Sequence, residues 1–507
     1  MKSVATMPRV AVDVDGGALA AGAARCLEAV RVQQRLSVPT LCELSFFDLS
    51  GQAAGGADLP APGQSLRVVV DGNPVPLFEG EVTAVERIYG PGNGREVRVR
   101  AYDELHRLRK SQQVKAHESI SAMSLARELA PGLGLRVDGP PPGPTWPRLI
   151  QHRQSDLELL ASLAERSGLY VTVRDGALHL ITLEGVGDPA QLGLGDTLLE
   201  ARVETNGDPA CRSVSAAGWD PLQAKVHEGR ASIPSVGREV AAEVPPDLVG
   251  GTGEIALLNE SAPDEAQAQA IAQIELDWRV ASEVVLWGVA QGDPELRPGT
   301  PVEVSGLQAE LAGRYVLTAV THTVDIRTGF VSEISTEPPA MVPRDRGAGI
   351  ALGEVTSVDD PDGLGRVKAK LPAFGGVETA WMGVLTAGAG RNKGLIAMPD
   401  VGDQVLVLLA HDDPGEGMVL GGLYGMQAPP DPGMSGGAIR RYTFLTPGGQ
   451  RVTLDDGKTS IRLEDATGSY LELSPKQVTV HAAVDLTLDA PGRAVIVRGK
   501  SVDFETA

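Results

Sequence analysis

Four places in the sequence hold side chains of catalytic or ligand-binding type. His411-Asp412-Asp413 offers an imidazole and two carboxylates, the donors of many metal sites. It lies in a Pro/Gly loop with no second donor cluster at a matching spacing, so a turn closed by Pro414-Gly415 is the stronger reading. Gly388-Ala389-Gly390-Arg391-Asn392-Lys393-Gly394 has the glycines and cations of a phosphate cradle. It lacks the G-x-x-x-x-G-K-[ST] spacing and the strand-to-helix setting that would aim backbone N–H groups at a phosphate. Asp156 and Glu158 offer the carboxylate pair of a glycosidase. Ser155 before them makes a helix start with dipole-favoured acids the better account. His322, within Thr321-His322-Thr323, alternates along a strand and reads as structural. Asp456, Asp465 and Asp489 fall at turns, where acids are ordinary. No nucleophile lies near a base in any recognisable constellation. The sequence therefore predicts no catalytic residue, no cofactor site and no metal site.

The strongest pattern is one of repetition. From Tyr442 to Phe504 an apolar doublet at i, i+2 recurs eight times, each followed by a polar turn. The doublets are Tyr442/Phe444, Val452/Leu454, Ile461/Leu463, Leu471/Leu473, Val478/Val480, Leu486/Leu488, Val495/Val497 and Val502/Phe504. Such a pair marks a short strand with one buried face. Pro447-Gly448-Gly449, Asp456-Gly457, Thr467-Gly468, Ser474-Pro475 and Pro491-Gly492 supply the turns. Two inward side chains per strand enclose almost nothing unless further strands stack above, below and across. A single-chain β-solenoid would do this with about 20 residues per coil and capped ends. A prism of three chains winding round one axis, each moving to the next face at every turn, would also do it. The prism is favoured. Its trimer core is expected at Ile461, Leu463, Leu471, Leu473, Val478, Val480, Leu486, Leu488, Val495, Val497, Val502 and Phe504. Eight layers at the inter-strand spacing give a rod on the order of 40 Å long.

The 507 residues suffice for about three domains. Only 4% are aromatic, with 61 Gly and 36 Pro, which suits short strands and turns better than a helical bundle. The net charge of −21 argues against a nucleic-acid partner. Residues 440–507 are neutral, with nine acids and nine bases, so the acidity lies upstream and the rod is repelled less by an anionic membrane. Cys26, Cys42 and Cys211 are too few and odd in number for a disulfide framework. Asp13 and Asp15 interrupt the first 20 residues where a signal peptide would be apolar. No apolar run is long enough for a transmembrane helix. Assembly in the cytosol is expected.

Two Pro/Gly-rich segments, 337–349 and 426–437, divide the chain. In the first block, strands are expected at Val68–Val70, Glu81–Val85 and Glu96–Arg100, and a helix over Ser121–Ala130. A second helix follows the Ser155/Glu158 capping box, with Leu157, Leu160, Ala161 and Ala164 as its buried stripe and Gly168 as its left-handed cap. A hairpin turns at Arg174-Asp175-Gly176. A third helix begins near Ser261-Ala262-Pro263 and reaches about Val280. Further strands are expected at Glu283–Leu286, Pro301–Val304, Tyr315–Val320 and Val331–Ile334. Residues 185–260 give no readable fold. In the second block, five short strands in about seventy residues fit an OB-type barrel.

Several phrases resemble VgrG proteins and phage tail hub and baseplate-spike proteins. They are AYDELHRLRK (101–110), IQHRQSDLELLASLAERSGLYVTVRDGALHLI (150–181) and GDPELRPGTPVEVSGL…GRYVLTAVTHTV (292–324). GEVTSVDDPDGLGRVKAKLP (353–372) and the segment 379–425 are similar to the gp5-type OB-fold of that family nearly end to end. The resemblance implies a mainly β protein with a few α-helices. A tube-like hub of β-barrel domains would occupy 1–345, an OB-fold collar 346–428, and a trimeric intertwined β-helix 429–507. It implies a homotrimer at the leading end of a contractile injection machine, in a particle that is released or stays with the envelope. Tail tube and baseplate proteins would meet the hub, and a PAAR-repeat protein would tip the needle. Effector cargo is a further possible passenger, and the target membrane a transient contact. Only a short linker separates collar and needle, where some phage relatives carry a lysozyme domain, so a bare, non-enzymatic spike is expected. The rivals are a tail-associated wall hydrolase and a single-chain solenoid adhesin.

Overall fold

The computed structural model describes residues 8–48, 59–70, 73, 75–89, 95–141, 143–220, 225–258, 260, 262, 264–341, 347–411, 413–415, 417–425 and 427–505. The protein is mainly β with a few helices, as its turn-rich, aromatic-poor composition dictates. It divides into two compact units, Met1–Gly422 and Leu423–Ala507.

The first unit is organised on an eleven-stranded sheet. In spatial order its strands are Leu198–Thr205, Val284–Gln291, Gly329–Ser335, Ala319–Asp325, Leu27–Arg35, Val38–Asp48, Arg95–Tyr102, Phe78–Tyr89, Ser65–Val70, Val10–Val14 and Gly17–Ala18. Strands far apart in sequence meet at its centre, and strict alternation sets the register. Val30, Leu44 and Val99 stand opposite one another, as do Val32, Cys42 and Ala101, and all are buried on one face. The intervening Glu43, Arg98 and Arg100 lie on the other face. There Arg100 pairs with Glu43 at 2.9 Å and Glu86 at 2.8 Å. Among the described residues no pairing joins the two outermost strands, so the expected hub barrel is here an open, curved sheet.

The helices cover smaller sheets. Ala122–Leu129 and Asp156–Glu165 each start on a capping box. At the second, Ser155 N–H donates to Glu158 Oε2 at 2.7 Å and Glu158 N–H donates to Ser155 Oγ at 3.3 Å. The buried stripe of this helix is Leu157, Leu159, Leu160, Leu163 and Ala164. Leu159 and Leu163 are added to the expected stripe because the neighbouring sheet and the Glu104–Arg109 turn enclose a wider arc than one stripe, and Ala161 is only half-buried. Asp175 and Gly176 both have positive φ, as the primed turn of the Tyr170–Arg174/Ala177–Ile181 hairpin requires. The third helix runs Glu265–Glu283 with Asp264 as its N-cap. The expected start at Ser261 and Pro263 lies outside the described residues. Tyr315–Val320, read as one strand, is two. Gly313–Val316 pairs with Pro301–Ser305, and Ala319–Asp325 joins the large sheet. The unreadable stretch 185–260 holds Ala190–Gly193, Leu198–Thr205, Ser213–Asp220, Lys225–Ala231 and Glu254–Leu258. The last three form a sheet under the third helix.

Residues 348–422 form a six-stranded sheet around its own core of Val355, Val367, Ala369, Leu371, Met382, Val405, Val407, Leu409 and Val419. A two-way backbone bridge between Val367 and Met382, at 2.8 and 2.9 Å, brings its two ends together. This body touches the hub. The Arg148 guanidinium donates to the Glu378 carbonyl, and His152 meets the Phe374 ring edge-on at 4.8 Å.

The second unit is a five-stranded antiparallel meander, Arg441–Leu445, Arg451–Asp455, Ser460–Glu464, Tyr470–Leu473 and Val478–His481. This corrects one expectation. The chain does not move to a new face at each turn through these five doublets. The connections 446–450, 456–459, 465–469 and 474–477 are of hairpin length, and a hairpin returns the chain beside the strand it has just left. Leu486/Leu488, Val495/Val497 and Val502/Phe504 form no strand within the single chain.

Candidate functional site: the apolar face of the C-terminal sheet

The meander places doublet against doublet. Tyr442 and Phe444 face Leu454 and Val452. These face Ile461 and Leu463, which face Leu473 and Leu471, which face Val478 and Val480. Directly opposed residues share a face, so all ten side chains project to one side. That side is open. Ile461 is 44% exposed and Val480 62%, and Phe444, Leu454, Leu463, Leu471 and Leu473 are similarly bare. Along one edge, a depression of ≈ 620 Å³ is lined by Phe444, Val452, Leu463, Leu471, Val480 and Leu486. Isolated exposed leucines are ordinary, but a contiguous apolar sheet face marks an interaction surface.

The opposite face is a finished surface. Arg462 reaches Glu464 at 2.6 Å and Glu472 at 3.4 Å, and its guanidinium lies 3.8 Å over the Tyr470 ring. Tyr470 in turn stacks on His481, with ring centroids 5.0 Å apart. Arg451, Arg462, Glu464 and Glu472 pair across this face, while among the described residues the apolar face stays exposed.

One residue missed by sequence reasoning fixes the start of this sheet. Asp431, within the segment read as a linker, accepts from Arg441 Nη2 at 2.7 Å and Nε at 3.1 Å, from Thr443 Oγ1 at 2.8 Å and from the Gly433 N–H at 2.9 Å. The Arg441 guanidinium, then these hydrogen bonds, hold its carboxyl well below the usual carboxylate range. Gly433 adopts φ +66°, and a Cβ there would fall 2.2 Å from the Arg441 carbonyl oxygen, so only glycine fits this approach. The signal available in the sequence was Asp-Pro-Gly, a turn former, but its arginine partner is set by the fold.

The chemistry-bearing residues are scattered. His411 sits at a turn with φ +53°, and Asp413 accepts from the Gly415 N–H at 2.7 Å as a turn acid does; Asp412 lies outside the described residues. Residues 388–394 form an exposed loop closed by a Gly390–Lys393 bridge. His322 is fully buried, with Nδ1 2.8 Å from Ser332 Oγ, and burial pushes its pKa down to about 3. Asp156 accepts from Gln151 Nε2 at 2.7 Å, while Glu158 serves the helix cap. Asp465 accepts from the Thr467 and Ser469 N–H groups within a hairpin turn. Among the described residues no group of three or more His, Cys, Asp or Glu side chains could hold a metal ion. Among them also, no helix is long and apolar enough to cross a membrane.

The Alg8 N-terminal domain family matches residues 14–325, more than half of the chain. The chain belongs to that family. Residues 351–424 match the type VI secretion system/phage-baseplate injector OB domain, over the six-stranded body described above. Solved structures agree on the fold. A chain of a lidless PdpA–VgrG complex is 8% identical with a TM-score of 0.56, the match covering 94% of this chain and 98% of that one. The half-lidded Francisella PdpA–VgrG complex gives 7%, 0.55, 94% and 88%. The E. coli type VI component c3393, described as similar to the T4 tail proteins gp27 and gp5, gives 14%, 0.53, 82% and 99%. No curated protein sequence matches the chain. The resemblance to VgrG-type and baseplate spike proteins, first seen in short phrases, thus extends to the fold of nearly the whole chain.

Proposed function

We propose that the protein is the trimeric central spike of a contractile, phage-tail-like injection system. Residues 1–345 form the hub that meets the tail tube and baseplate, residues 346–428 the OB collar, and residues 429–507 the puncturing needle. The observation that carries this reading is the open apolar face of the C-terminal meander. A face of ten register-matched doublet side chains stays in water only at a cost of about 25 cal/mol for every Å² left bare. Two further copies of the same face, arranged about a threefold axis, cover it without any residue from elsewhere. Ile461, Leu463, Leu471, Leu473, Val478 and Val480 then form the axial core. Leu486, Leu488, Val495, Val497, Val502 and Phe504, unpaired within one chain, find strand partners on the other two.

The role is mechanical, and no residue is assigned to catalysis. Sheath contraction delivers force, and the needle transmits it by resisting buckling, because parting its chains bares the apolar core and breaks the strand pairings that the doublets from Leu486 onward make with the other copies. A PAAR-repeat protein at the tip, and cargo carried with it, complete the assembly. Light scattering on the purified protein tests the reading: three times 52.9 kDa is expected, and a folded species of one chain mass would overturn it.

A further inference from the structure

The last strand of the meander, Val478–His481, has one free edge. Tyr470–Leu473 pairs with one side of it, and among the described residues no strand pairs with the other. An unpaired edge is a template for a further strand. The chain holds a doublet that could supply one, Leu486/Leu488, joined to the strand by residues 482–485. The earlier connections within the meander are as short, and each makes a hairpin. This one does not.

The reason is where the chain is pulled. The Ala483 N–H donates to Ser469 Oγ at 3.1 Å. Ser469 precedes Tyr470, which stands opposite His481, so it lies on the paired side of the last strand and not on its free side. The tail is thereby drawn away from the edge it could have extended. Leu445, Arg451, Glu464, Tyr470 and His481 form one margin of the sheet, each standing opposite the next. The tail leaves at this margin, where Val484, Asp485 and Leu486 border the apolar depression described above. Leu486 is 59% exposed and Leu488 72%, and the free edge stays open.

We infer that residues 485–489 of one copy add as a parallel strand to the free edge of Val478–His481 in the next copy. This rests on the trimer reading and deepens it. The pairing follows from the direction of travel. About a threefold axis that the strands run across, a chain that leaves one face at its margin enters the next face in the same rotational sense. It then runs alongside the neighbour's last strand, pointing the same way. Parallel neighbours cannot be joined by a connection as short as 482–485, so the added strand has to come from another molecule. Extended, that connection reaches about 13 Å, enough to round one corner of a prism. Pairing Val478 with Leu486 and Val480 with Leu488 keeps both doublets on the core side. The same register sets His481 beside Asp489, an imidazole N–H beside a carboxylate. The needle thus changes construction at Ala482. Before it each copy pairs its strands with themselves, antiparallel; after it the copies exchange strands, parallel.

Cysteines on the outward side of the two segments test it in a Cys26→Ser background, the other two native thiols being buried. Thr479→Cys is combined in one chain with Thr487→Cys, and separately with Asp485→Cys and with Asp489→Cys to cover a register displaced by two residues either way. Side chains opposed on adjacent strands are close enough for a disulfide. Oxidation of the assembled protein is expected to give a covalent trimer on a non-reducing gel from at least one of the three pairs, because each copy is bonded to the next. Protein of trimer mass that yields only single-chain bands in all three, or a bridge mapped within one chain, would overturn the exchange and leave the trimer reading standing. Protein of single-chain mass before oxidation would remove both. Should the double variants fail to assemble, hydrogen exchange on the unaltered protein gives a second readout. The amides of 486–488 are expected to exchange at least about tenfold more slowly in the trimer than in an unstructured chain. Exchange there at the unstructured rate would overturn the proposal.

Discussion

The hub sheet and the C-terminal meander are written in the same alternating pattern, yet they end differently. Val30, Leu44 and Val99 are opposed across three strands and buried by the rest of their own unit. Val452, Leu463 and Leu471 are opposed across three strands in the same way, and their face is left open. The difference is one of supply. The hub strands come from positions as distant as Leu27 and Ser335, and the face they share is closed by Val12, Leu66, Val68, Val82 and Val324 from other strands of the same sheet and by Ala23 of the short helix Ala21–Cys26. The meander is consecutive hairpins with nothing between its strands but turns. Alternation thus fixes that a face is apolar, and the remainder of the chain decides whether it is closed internally or by another molecule.

The sharpest way to break this comparison is to charge each face. Val480→Asp is expected to abolish the trimer, because three carboxylates would meet around one axial layer, desolvated and unpaired. Sedimentation should then show single chains, and wild-type sedimentation would remove Val480 from the core. In the hub, Leu44→Ala removes a fully buried side chain and should cost about 2–5 kcal/mol of body stability. Denaturant unfolding followed alongside native mass should show a weakened body in an intact trimer. Loss of the trimer itself would mean that the two regions are not independent.

A pH titration sharpens the internal half of the comparison. Burial depresses the pKa of His322 to about 3, below its ordinary value of 6.5. The unfolded chain therefore takes up a proton at this position before the folded chain does. Stability from this site is complete above about pH 6.5 and is lost as pH falls toward 3, by up to about 1.4 kcal/mol per pH unit. His322→Gln should flatten that part of the stability profile, and an unchanged acid limb would show that other groups dominate it. The smallest effect is expected on the polar face of the meander. Arg462→Ala breaks half-exposed pairs with Glu464 and Glu472, worth about 1 kcal/mol together, and should leave the mass at three chains. A dissociated Arg462→Ala protein would place the interface on the wrong face.

Local signals in the sequence determined local things. Ser155 with Glu158 specified a helix start, because both halves of a capping box lie within one turn. Asp175-Gly176 specified a hairpin, because both positions need positive φ. The doublets specified which side chains share a face, because the strand period is two. Long-range pairing was set only by the tertiary structure. It placed Leu198–Thr205 beside Val284–Gln291, split 313–325 between two sheets, and tied Asp431 in an apparent linker to Arg441. It also showed that five doublets pair with one another inside one chain before any neighbour is needed. Periodicity records which way a side chain points, but what it meets depends on segments far away in sequence, whose approach is decided by the packing of the whole chain.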